Sequence, residues 1–142
     1  MKSPGRLEVV GRQPLVLLDG AHNVAGAQAL RAALDEEFSE GPRTLVVGLL
    51  REKEPHEMLA ALGVEELQGM LVCCSPPSPR ALEASFVAKA AVDLGLPEER
   101  IEVVERVEDA VSTALLATPP DGQIVITGSL YVVGAARSVL VS

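Results

Sequence analysis

The sequence predicts a Rossmann-like, doubly wound α/β domain, with a six-stranded, mostly parallel sheet, one antiparallel strand and helices on both faces. Three observations carry this. Short runs rich in Val, Ile and Leu alternate with stretches of helical rhythm, the pattern of right-handed βαβ units. The run from Thr44 to Leu50 is apolar almost throughout, as a strand covered on both faces must be. Hydrophobic residues make up 48% of the chain but aromatics only 2%, with no Trp, so Leu, Val, Ala and Ile must pack the core. At 142 residues the chain accommodates one domain with a substantial core, spanning 1–142.

The elements follow in order. Arg6 to Val10 reads as a strand, Gly11-Arg12-Gln13-Pro14 as a turn, and Leu15 to Leu18 as the next strand. A link this short cannot make a parallel crossover, so these two strands are expected to be antiparallel or splayed. From Asn23, an N-cap residue type, Val24, Ala27, Leu30, Leu34 and Phe38 recur at helical spacing, and Gly41-Pro42 lies past the end. A strand over Thr44–Leu50, a short helix from Pro55 to Leu62 and a strand over Met70–Cys74 come next. The proline-rich run Ser75–Pro79 excludes regular structure. Ala81 to Leu94 reads as a helix with Leu82, Phe86, Ala90 and Leu94 on one face. Ile101–Val104 is a strand, Val107–Leu116 a helix, Gln123–Thr127 a strand, and Gly128-Ser129 opens a last helix reaching Leu140.

Composition excludes several functions. The net charge of −8, with the basic residues scattered singly, repels nucleic acid and anionic membrane surfaces. The longest apolar runs, such as Leu45–Leu50, fall far short of the roughly 20 residues of a membrane span. Met1-Lys2-Ser3-Pro4-Gly5 turns polar at once, unlike a secretory or transit segment, and a cytoplasmic location is expected. Cys73 and Cys74 sit inside an apolar run and read as packing, since no spacing suggests a zinc site or a disulfide. No metal ligands are assigned.

Ligands of open α/β sheets bind outside the carboxyl ends of the strands, and three loops there are chemically rich. In Asp19-Gly20-Ala21-His22-Asn23, Gly20 permits close backbone approach. The following helix end favours an anion. Asp19 can accept from a ribose diol and His22 can donate to a phosphoryl oxygen. Taken alone, the same residues read as caps and a surface histidine. Arg51-Glu52-Lys53-Glu54 reads locally as a solvated, self-paired charge run. Ser129 reads as an N-cap whose hydroxyl could also hold a carboxylate. There is no G-x-S-x-G, GxGxxG or P-loop sequence, so covalent catalysis and a self-sufficient triphosphate grip lack support.

Taken together, Pro4-Gly5-Arg6-Leu7-Glu8, VLLDGAHN at 16–23, VVGLLREKE at 46–54 and TGSLYVVGAAR at 127–137 resemble the carboxy-terminal domain of folylpolyglutamate synthase/dihydrofolate synthase, in the Mur ligase superfamily. The resemblance covers nearly the whole chain. It implies an ATP-dependent amide ligase that adds L-glutamate to a folate or dihydropteroate carboxylate through an acyl phosphate. It also implies that ATP and Mg2+ are used, with the P-loop and the metal ligands on a central domain and this domain closing over the nucleotide. Residues 1–6 then correspond to the end of an interdomain linker, and the N-terminal and central domains are absent from the sequence. Carried over by motif, Arg6 is the residue that reaches ATP phosphates, and Asp19 and Asn23 lie on the nucleotide side. His22 is the catalytic histidine near the γ-phosphate, while Ser129 and Lys53 serve the glutamate subsite. Two departures stand out: Val24 follows DGAHN where the family often has proline, and LREKE replaces a pattern of K-D-K-D character.

Other readings are another Mur-type amide ligase, a free-standing nucleotide-binding regulatory module, and a receiver-like domain phosphorylated on Asp19. The last lacks an acidic pair at the end of the first parallel strand. On the ligase reading, Asp19→Ala and His22→Ala are both expected to lower turnover far more than stability.

Overall fold

A computed structural model describes residues 7–39 and 41–141. The chain runs β1 (Glu8–Arg12), β2 (Leu15–Asp19), α1 (Val24–Glu37), β3 (Arg43–Val47), α2 (Pro55–Ala61) and β4 (Leu71–Ser75). It continues α3 (Ala84–Asp93), β5 (Ile101–Arg106), α4 (Val107–Ala117), β6 (Gln123–Thr127) and α5 (Leu130–Leu140). The six strands form one sheet in the order β1-β2-β6-β3-β4-β5. Among the described strands only the β1–β2 pairing is antiparallel, one of the two arrangements that so short a link allows.

Strand alternation sorts the core into two layers. Leu17, Leu45, Val47, Leu71, Cys73 and Val125 face α1, α2 and α3, whereas Val16, Leu18, Val46, Val72, Ile124 and Ile126 face α4 and α5. The three crossovers from β2 to β5 therefore use one face, and the return through α4 to β6 uses the other. Full burial of a side chain such as Leu17 or Ile124 contributes roughly 1.5–3 kcal/mol. No helix among the described residues is long and apolar enough to cross a membrane.

Three elements differ from expectation. β1 runs on through Gly11 and Arg12, residues expected in the turn, because a register shift between Val9 and Gly11 lets both pair with β2. The strand expected over Thr44–Leu50 leaves the sheet after Val47, because Leu49 and Arg51 turn to pair with another segment. Leu82 N–H donates to Leu49 O (2.9 Å), Arg51 N–H to Arg80 O (2.7 Å), and Leu50 bridges Ala81. That bridge holds Ala81–Glu83 out of α3, which starts at Ala84 with its N–H donating to Ser75 Oγ (3.1 Å). The buried face of α3 is accordingly Ala84, Val87, Ala90 and Ala91, and Phe86 is 52% exposed. Three alanines let the helix lie close to the sheet, where the expected Phe86 stripe would have held it off.

Candidate functional site

The carboxyl ends of β2, β6 and β3 lie level: Asp19 pairs in register with Thr127, and Thr127 with Val47. From β2 and β3 the chain leaves toward one face and from β6 toward the other, so the end of β6 is the topological switch point, the place where open α/β sheets form their ligand crevice. Two glycines let its walls meet. Gly48 N–H donates to Thr127 O (3.3 Å). Gly128 adopts φ +115°, and a Cβ there would lie 2.2 Å from Gly48 O.

Asp19 is buried and holds two backbone segments together. Its Oδ1 accepts from Leu7 N–H (2.7 Å), and its Oδ2 accepts from Ala21 N–H (3.0 Å). Leu7 has φ +48°, so this bond holds a non-glycine residue in the left-handed region. The next residue is clamped as well: Arg137 of α5 donates through both terminal nitrogens to the Glu8 carboxylate (2.6 and 2.5 Å). The expected ribose contact at Asp19 is thus joined by an anchoring role. Asp19→Ala should destabilise the chain by about 2–5 kcal/mol, because two buried N–H groups lose a charged acceptor. The midpoint of denaturant unfolding measures this.

His22 is exposed, with its Nδ1 3.0 Å from Gly20 O. A carbonyl only accepts, so Nδ1 carries the hydrogen in this contact and Nε2 of the neutral ring is the acceptor. Asn23 caps α1, its Oδ1 accepting from Gly26 N–H (2.7 Å). Ser129 caps α5, its Oγ accepting from Val132 N–H (3.1 Å), and is 1% exposed. Its own hydroxyl hydrogen remains a donor. Neither α1 nor α5 carries an acidic residue in its first turn, whereas α2 has Glu57 and α4 has Glu108 and Asp109. The positive ends facing the crevice are therefore not neutralised by their own side chains, which suits an anion such as a phosphate.

The loop after β3 is paired outward instead of within itself. Glu52 pairs with Arg80 from across the 49–51/80–82 bridge. Glu54 caps α2 through His56 N–H (2.7 Å) and also meets His56 Nδ1 (2.8 Å), while His56 Nε2 reaches Asp93 (2.8 Å). Asp93 and then Glu54 raise the His56 pKa. Among the described residues no carboxylate forms a close ion pair with the side chain of Arg51 or Lys53, the charge of Lys53 acting on Glu52 only at longer range. Two cations are thus left at this edge of an acidic chain.

Of the sequence-expected site residues, Asp19, His22, Asn23, Lys53 and Ser129 all lie in the three loops at this edge. Arg6 lies outside the described residues. Burial pushes the Cys73 and Cys74 thiols up to about 12, which makes both inert packing groups. Among the described residues no three His, Cys, Asp or Glu side chains cluster to hold a metal. Sequence patterning passes over Thr127, which ends β6 fully buried. Its only signal is a polar β-branched residue closing an apolar strand just before Gly128.

A mostly parallel, doubly wound sheet with two helix N-termini and two cations at its carboxyl edge defines the class, a Rossmann-like α/β ligand-binding domain. Comparison with known proteins specifies the family: the model of the Mur ligase, glutamate ligase domain, matches residues 5–130, and the chain belongs to that family. It is similar to the dihydrofolate synthase/folylpolyglutamate synthase of Mycobacterium tuberculosis, with 39% identity over 149 residues covering 96% of this chain and 30% of the relative. A crystal structure of Mycobacterium tuberculosis folylpolyglutamate synthase complexed with ADP and AMPPCP superposes with a TM-score of 0.87 at 38% identity, covering 100% of this chain and 33% of that one. The bifunctional folylpolyglutamate synthase/dihydrofolate synthase of Yersinia pestis, complexed with AMPPNP and Mn ion, gives a TM-score of 0.84 at 29% identity, covering 98% and 32%. The chain thus spans about a third of the length of these relatives.

Proposed function

We propose that this chain is the closing domain of an ATP-dependent amide ligase of the folylpolyglutamate synthase/dihydrofolate synthase type, acting in the cytoplasm. In this reading ATP activates a folate or dihydropteroate carboxylate as an acyl phosphate, and the amino group of L-glutamate attacks it. The observation that carries the reading is the crevice itself: two helix ends without acidic first turns, and two cations that form no close ion pair with a carboxylate among the described residues, in a chain whose sequence has no P-loop. Such a surface suits an anion held mainly elsewhere, and closing over it excludes water and completes the charge environment.

Each residue then has a role. His22, exposed and oriented by Nδ1–H donating to Gly20 O, answers the negative charge on the transferring phosphoryl group by donating from Nε2 in its doubly protonated form. Arg6 answers the phosphates. Asn23 and Asp19 shape the nucleotide side, the first by capping α1 and the second by fixing the loop. Ser129 offers its hydroxyl hydrogen, and Lys53 its charge, to the glutamate carboxylates. Residues of the central domain supply the Mg2+ ligands.

The purified 142-residue chain is expected to ligate nothing and to bind ATP weakly. Assembled with P-loop-bearing N-terminal and central domains, it should support ATP-dependent addition of L-glutamate to dihydropteroate or a folate, read as product mass. Robust glutamylation by the chain alone would overturn its role as a closing domain. An assembly that hydrolyses ATP but adds glutamate to neither acceptor would overturn the substrate class.

A further inference from the structure

One polar group at the crevice is unused by this reading. Thr127 is 0% exposed, and among the described residues its Oγ1 has no hydrogen-bond partner. A buried hydroxyl without a partner destabilises a fold, and valine would fill nearly the same space without that penalty. The position of the hydroxyl suggests what it is for. Thr127 ends the central strand in register with Asp19. Val125 and Leu17, two residues earlier on each strand, belong to the core layer under α1–α3. By alternation the Thr127 and Asp19 side chains share that face, on neighbouring strands about 4.8 Å apart.

Asp19 accepts from Leu7 N–H and Ala21 N–H among its partners. Ala21 N–H belongs to the short stretch leading into the Asn23-capped end of α1, where an anion competes for backbone N–H groups.

We propose that Thr127 is a positioning residue of this site: its hydroxyl is the reserve donor that replaces Ala21 N–H on Asp19 when a phosphate-bearing ligand draws the Gly20–Asn23 backbone toward itself. The exchange keeps Leu7 anchored while freeing one more N–H for the anion. It rests on reading the crevice as the nucleotide side of a ligase.

Thr127→Val tests the exchange, with Thr127→Ser as the conservative return. In the 142-residue chain Thr127→Val should raise Tm by roughly 2–6 °C, since a standing penalty is removed. In the assembled ligase the same variant should raise KM for ATP about 3- to 10-fold and lower kcat, while Thr127→Ser stays within about 2-fold of the parent. A higher Tm with unchanged KM and kcat overturns the proposal, as does a Thr127→Ser variant as impaired as Thr127→Val. An unsubstituted assembly that neither binds ATP nor adds glutamate overturns the functional reading, and this proposal with it.

Discussion

Gly128→Ala is expected to cost about 3–5 kcal/mol of folding free energy, shifting the denaturant midpoint of the chain sharply downward. Two penalties add. At φ +115° an L-residue takes on about 1–2 kcal/mol of backbone strain. The new Cβ would also lie 2.2 Å from Gly48 O and 3.0 Å from its carbonyl carbon, both of them backbone atoms that no side-chain rotation can move away. Relief requires pulling the β3 and β6 ends apart, and with them the crevice walls that carry Lys53 and Ser129. Gly134→Ala is the internal control. It lies within α5, and a Cβ added there would meet nothing within 4 Å, so the same substitution should stabilise by roughly 0.5–1 kcal/mol. Equal midpoints for the two variants would show that the close approach of Gly48 and Gly128 is not a constraint on the fold.

Local chemistry was legible in the sequence. Asn23 and Ser129 were recognisable as caps because an N-cap is defined by one side chain and the next two or three N–H groups, and both make those bonds. Gln123–Thr127 matched its strand residue for residue, and the short turn before Leu15 excluded a parallel first strand. Features arising between distant segments were not legible. Asp19 was assigned from its motif, and its bond to Leu7, twelve residues away, had no signal in the sequence. Glu52 looked self-paired within its loop, yet it meets Arg80, twenty-eight residues on. Phe86 fitted a helical stripe by spacing alone, but the 49–51/80–82 bridge delayed the helix start and turned three alanines to the sheet. Likewise Thr127 became conspicuous only when burial showed its hydroxyl without a partner among the described residues.

His22→Ala should separate function from stability more cleanly than any other change at this edge. The side chain is exposed and makes one hydrogen bond among the described residues, to Gly20 O, so its loss should alter stability by no more than about 1 kcal/mol. In the assembled ligase, turnover should fall by roughly 10²–10⁴, the range for a side chain that moves a proton or answers charge in the transition state. Asn23→Ala supplies the contrast, because removing the cap that Gly26 N–H uses should cost about 0.5–2 kcal/mol of stability. Its effect on turnover should follow from displacement of the α1 end and therefore appear largely in KM for ATP. The discriminating quantity is the ratio of kcat loss to stability loss, measured for both variants under one set of conditions. A high ratio for His22 and a low one for Asn23 would assign the chemistry to the ring and the scaffold to the cap. Turnover within about threefold of the parent for His22→Ala, less than about 1 kcal/mol of barrier, would return His22 to the surface and leave the α1 end itself as the anion's partner.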